Sequence, residues 1–238
     1  HAPDQARERL GEIVRSTADR GGTVLIPAFA VGRAQVMTHL LTDLMAAGRI
    51  PTLPIYLDSP MAIDVAAVFQ RHHEEHRLDA VQCRRMCADI HYVRSVDESR
   101  ALSQGHYPKL IIAGAGMLNG GRILHHLRAF GGDNRNTLVI TGYQAEGTRG
   151  HALLNGTNRL RIYGQEVSIH CRIELLDDLS AHADYQELLD WLAPLQPPRQ
   201  TFITHGEPLA ADSLRQKLEH GRQWPALVPE QGDEFELG

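Results

Sequence analysis

Five short apolar runs constrain this chain most: TVLIPAF (23–29), LPIYLDS (53–59), IHYVR (90–94), KLIIAG (109–114) and TLVITG (137–142). Each is followed by a loop and, in most cases, by a stretch with helical spacing. Runs so nearly continuous in branched apolar residues suit strands buried on both faces. The βαβα rhythm therefore predicts an α/β fold, with a mainly parallel sheet covered by helices on both faces. Residues 3–19 read as a helix stopped by Gly21-Gly22, and residues 32–48 as a second helix with a terminal glycine. Ser59-Pro60 opens a third, serine as N-cap and proline in the first turn, where its missing N–H costs nothing.

The texture changes after about residue 157. RLRIYGQEVSIHCRIELLD (159–177) alternates around a glycine and predicts an antiparallel strand pair. An amphipathic helix (184–195), a strand (200–205) and a helix (210–221) follow, and the tail returns to strand. The expected division is 1–177 for the sheet domain and 178–238 for a second folding unit.

Composition narrows the function. The 238 residues carry 24 basic and 29 acidic side chains, a net charge of −5, so no global positive field draws in nucleic acid. A polyanionic partner needs a local cleft of Lys and Arg. No apolar run approaches the roughly 20 residues of a membrane span, and the start lacks the apolar core of a signal peptide. Three cysteines, an odd and sparse set, suit a reducing cytoplasm. Cys83 and Cys87 share a helix face with no partner pair near. RHHEEH (71–76) reads as a solvated helix end.

Four loops follow strand C-termini, the edge at which open α/β sheets bind ligands: AFAVGRAQ (28–35), DSPMA (58–62), AGAGMLNGGR (113–122) and GYQAEGTRG (142–150). Their glycines expose backbone N–H groups that suit phosphates, although glycine also simply permits tight turns. GAGMLNGG fails the dinucleotide spacing, because Asn119 stands where the third glycine is required. This disfavours a nucleotide-binding α/β protein. Arg33, Arg122 and Arg149 lie in or beside these loops and suit bidentate phosphate contacts. His205 ends an apolar strand beside Gly206, a place for a metal ligand with Glu207 behind it, or for a capped strand end. His182 lies near Ser180 and Asp184 at a helix start. A carboxylate there suits a general acid, and capping explains it equally well.

LSAHADY (179–185) followed by FITHGE (202–207) resembles the last two motifs of the β-CASP branch of the metallo-β-lactamase superfamily. PAFAVGRAQ, LPIYLDSPMA, IIAGAGMLNGGR and VITGYQAEGTRG, in that order, resemble further stretches of the same enzymes. The resemblance implies a β-CASP sheet in residues 1–177 and the C-terminal segment of a metallo-β-lactamase αββα domain in 178–238. It implies a zinc-dependent ribonuclease, with two zinc ions in the intact family site and single-stranded RNA as substrate. It leaves room for a homodimer. His182 is then the catalytic group at the scissile phosphate and His205 a zinc ligand, with Ser180, Arg33 and Arg149 as substrate contacts. The chain departs from the family pattern in one respect. It has no HxHxDH and does not begin with Met, so it reads as an inactive piece of a longer protein. A non-catalytic RNA-binding or scaffold relative is the alternative.

Overall fold

In the computed structural model the structure describes residues 3–177, 179 and 182–236. The chain divides into two compact units, residues 1–180 and 181–238. The first runs α1 (Pro3–Asp19), β1 (Thr23–Pro27), α2 (Arg33–Ala46), β2 (Ile55–Asp58), α3 (Pro60–Arg71), α4 (Ala80–Ala88), β3 (Ile90–Tyr92), α5 (Val96–Gln104), β4 (Lys109–Ala113), α6 (Ile123–Phe130), β5 (Thr137–Ile140) and α7 (Arg149–Leu154). It closes with β6 (Arg159–Ile162), β7 (Gln165–Ser168) and β8 (Arg172–Leu175).

Among the described residues six strands form one sheet in the order β3-β2-β4-β1-β5-β8, every pairing parallel. Alternate residues feed two cores. Val24, Ile26, Ile55, Leu57, Leu110 and Ile112 bury against α1, α2 and α3 on one face. Leu25, Ile111, Leu138 and Ile140 bury against α5, α6 and α7 on the other. Apolar residues at consecutive positions serve both faces, which is why the runs are unbroken.

The strand order creates the ligand edge. From β1 the chain crosses through α2 to β2, whereas from the adjacent β4 it crosses through α6 to β5. Those two helices lie on opposite faces, so the loops leaving β1 and β4 diverge. The gap between them is a topological switch point, where open parallel sheets bind ligands.

Local signals match the elements. Ser59 is the N-cap of α3 and its hydroxyl accepts from the Ala62 amide at 3.3 Å, with Pro60 in the first turn. Lys109, fully buried, donates from Nζ to the carbonyls of Leu102 and Gly105 and so closes the end of α5. Burial lowers its pKa to about 8. The 159–177 stretch differs from the expected single pair. β6 and β7 form the antiparallel hairpin, with Tyr163 and Gly164 at positive φ in the turn. Arg172–Leu175 instead joins the main sheet parallel to β5. Alternation marks a strand, not its partner.

The second unit contains α8 (Tyr185–Leu192), β9 (Thr201–Phe202), α9 (Pro208–Arg222) and β10 (Ala226–Leu227). β9 and β10 pair in parallel. Its core gathers Ile203, Ala211, Leu218, Trp224 and Ala226. Arg222 donates to the Leu189 and Leu192 carbonyls at 2.6 and 3.0 Å, capping α8. No helix among the described residues is long and apolar enough to cross a membrane.

Candidate active site

Two groups of residues carry the candidate chemistry, one in each unit. In the second unit His182 and His205 come together although 23 positions apart: their ring centroids lie 5.9 Å from each other at an interplanar angle of 80°. Both side chains are exposed. His205 follows β9 with φ of 69°, a left-handed conformation that a residue with a Cβ adopts only at a cost. Strain of this kind concentrates at functional positions. Asp184 is committed elsewhere, since its Oδ1 accepts from the Gln186 and Glu187 amides at 2.8 and 2.9 Å and, with Glu187, completes a capping box. Glu207 occupies the N-cap position of α9. Ser180 lies outside the described residues.

The fit to zinc is a matter of counting donors. Among the described residues no group of three or more His, Cys, Asp or Glu converges as a metal site. Structural or catalytic zinc takes at least three protein ligands, so the described residues do not by themselves build a zinc site.

In the first unit the loops gather at the C-terminal edge of the sheet. Arg33 opens α2, and its Nη1 is buried with no hydrogen-bond partner among the described residues. Its Nη2 lies 3.4 Å from where a Cβ on Gly142 would stand. Gly142, at φ of 104°, lets the loop after β5 pass this close. Burial alone holds the Arg33 pKa below its ordinary value. A half-buried guanidinium with no counter-ion among the described residues is poised for an anion. Arg149 is placed differently. Its Nε donates to the Arg161 carbonyl at 3.0 Å and its Nη1 to the Leu118 carbonyl at 3.3 Å, tying α7 to β6 and to the loop after β4. Gln144 reinforces that tie, donating to the Gly116 carbonyl at 3.3 Å.

Arg122 is a strut. Its Nη1 donates to Asp58 Oδ1 at 2.6 Å and to the Val93 carbonyl at 3.0 Å, and its Nη2 to the Arg94 carbonyl at 2.9 Å. Asp58 Oδ2 accepts from Ser99 Oγ at 2.5 Å and from His126 Nε2 at 2.7 Å, and His126 Nδ1 meets Ser103 Oγ at 2.9 Å. Asp58 and His126 are both fully buried. Burial pushes the Asp58 pKa up, but hydrogen bonds from His126, Ser99 and Arg122 outweigh it and hold the carboxyl below its ordinary value. Sequence reasoning missed this network. The available signal was a carboxylate at a strand end just before a Ser-Pro helix start. At the same edge no side chain fits at Gly121, where a Cβ would lie 2.2 Å from the Gly114 carbonyl oxygen.

The Beta-Casp domain family matches residues 34–153. The chain belongs to the β-CASP family. A second family, described as the Zn-dependent metallo-hydrolase RNA specificity domain, matches residues 166–229 of this β-CASP chain. Ribonuclease TTHA0252 of Thermus thermophilus is 40% identical over 215 residues, which cover 87% of the chain and 48% of that protein. Transcription termination factor FttA of Methanosarcina mazei is 33% identical over 230 residues, 90% of the chain and 36% of that protein. The RNase J-like protein of Methanocaldococcus jannaschii is 28% identical over 234 residues, 94% of the chain and 52% of that protein. The β-CASP chain thus spans about half the length, or less, of these relatives.

Proposed function

We propose that this chain supplies substrate-handling and catalytic residues to a zinc-dependent ribonuclease that cleaves RNA phosphodiester bonds in processing or decay. The observation that carries the reading is the approach of His182 to His205 across two separate motifs, at 5.9 Å between ring centroids. In this reading His182 is the general acid at the leaving oxygen and His205 one zinc ligand. Bound zinc would supply an activated water and charge stabilisation. Ser180, Arg33 and Arg149 contact the phosphates of single-stranded RNA. Arg33 brings a guanidinium whose Nη1 has no hydrogen-bond partner among the described residues, while Arg149 offers the donors that its two carbonyl bonds leave over. A second reading, RNA binding without cleavage, draws on the relatives named transcription termination factor.

The 238-residue chain alone is expected to hold zinc weakly and to leave RNA intact, because His205 is one ligand where three or four are needed. Robust cleavage by the purified chain, abolished by chelator, would contradict this. Binding of single-stranded RNA is the positive test. Because the net charge is −5, affinity must come from a few local cations. Replacing Arg33 and Arg149 together by Gln should weaken binding and flatten the plot of log affinity against log salt by roughly 0.7 for each phosphate no longer neutralised. An unchanged slope in the double variant would remove both residues from the RNA path.

A further inference from the structure

We infer that the crevice between the β1, β2 and β4 loops is a nucleobase subsite, in which Phe29 stacks on one base of single-stranded RNA. The inference rests on the ribonuclease reading and adds to it a group that recognises the base, where the residues named so far recognise phosphate.

The crevice is a cavity of about 320 Å³ lined by Phe29, Pro60, Met61, Gly114, Ala115 and Arg122 among others. It lies at the switch point between β1 and β4, and its volume is at the lower end for small-ligand pockets. The side chains that ought to be covered are open. Phe29 is 52% and Met61 66% exposed, each on a loop or helix start that also carries fully buried neighbours such as Asp58. Phe29 is held rather than loose. Its ring lies against Gly116, where an added Cβ would come within 2.9 Å of two ring carbons. Its carbonyl accepts from the Ala34 amide at 3.1 Å, closing the turn into α2.

Two polar side chains at the crevice are engaged within the fold. Ser59 Oγ accepts from the Ala62 amide, and Arg122 is committed to Asp58 and to the Val93 and Arg94 carbonyls. Beside them stand a fixed aromatic face and a flexible thioether, which offer stacking. Every base has a π-face, so such a platform accepts any of them. Four residues after Phe29, at the start of α2, comes Arg33, whose guanidinium lies beside Gly142 and whose Nη1 has no hydrogen-bond partner among the described residues. An apolar face and, four positions on, a cation with no ion-pair partner among the described residues match a base and a neighbouring phosphate. An apolar peptide would leave the cation unanswered.

The test uses the 238-residue chain and two fluorescein-labelled probes of equal length, an oligoadenylate and an abasic ribose-phosphate oligomer, read by anisotropy over a salt titration. Wild type should bind oligoadenylate about 5- to 150-fold more tightly than the abasic probe, the range expected for stacking one base. Phe29→Leu keeps an apolar side chain against Gly116 and should erase most of that margin. It should leave abasic affinity and the salt slope unchanged. Met61→Ser, on an exposed position that cannot disturb the core, should reduce the margin by a smaller factor. Equal binding of both probes by wild type, or a margin that survives both variants, overturns the subsite while leaving the phosphate track and the ribonuclease reading intact. Binding of neither probe at low salt overturns both. Self-association of wild type that Phe29→Leu abolishes, with the base margin unmoved, would make this face a protein contact and end the proposal.

Discussion

Asp58→Ala is expected to destabilise the first unit by about 3–5 kcal/mol, the cost of breaking a buried ion pair from one side. Both carboxylate oxygens are engaged by Arg122, Ser99 and His126, within 2.7 Å in each case. With the carboxylate gone, a fully buried imidazole loses its carboxylate partner and a mostly covered guanidinium keeps only the Val93 and Arg94 carbonyls. The imidazole cannot reach water without opening the α5–α6 face. The sign of the pH dependence follows from the depressed carboxyl pKa. The stabilisation is fully present above the unfolded value of about 3.9 and is lost as pH falls through the lower folded value. Urea unfolding followed by circular dichroism at a series of pH values provides the measurement. Wild type should lose stability steeply in the acid range, and Asp58→Ala should start lower and lose less there. A variant with the wild-type midpoint at neutral pH would show that the network contributes nothing. Because Asp58 ends β2 and Arg122 begins the turn into α6, the same variant should also loosen the crevice around Phe29 and Met61.

What the sequence disclosed and what it hid divide along physical lines. Strands buried on both faces leave consecutive apolar residues, and Ser59-Pro60 is a helix start that needs no tertiary knowledge. Both are local statements, and the structure repeats them in β1, β4 and α3. Partner choice is not local. Residues 159–168 and 172–175 share one alternating texture, yet the first closes on itself through Tyr163-Gly164 while the second crosses to β5. The Asp58–His126 pairing spans 68 positions and has no spacing signature. Phe29 and Met61 were concealed for a different reason. An apolar residue next to a strand reads as core, and only the three-dimensional fold shows that these two are uncovered. For the histidines, spacing left each one ambiguous, and only the resemblance suggested a shared site. In the structure their rings lie close together, while their chemical roles rest on the ribonuclease reading.

Those roles separate in one experiment on a protein that joins this chain to the further length its relatives carry. His205→Ala is expected to lower bound zinc and turnover together, because a ligand is removed. His182→Ala is expected to keep its zinc and to lose about 100- to 10,000-fold in turnover, the usual cost of removing a general acid. Metal content by elemental analysis and single-turnover cleavage distinguish the two variants. A His182→Ala enzyme within a few-fold of wild type would take that residue out of catalysis. Loss of zinc from it would make it a ligand. A complementary variant guards against trivial unfolding. At φ of 69° His205 occupies a conformation that glycine adopts freely, so His205→Gly removes the imidazole and the backbone strain at once. With both proteins stripped of metal it should be no less stable than wild type in thermal unfolding, and it should still fail to take up zinc. That pattern would show that the strained left-handed position is retained to place the imidazole, whereas a large drop in its melting temperature would show that His205 serves the fold instead.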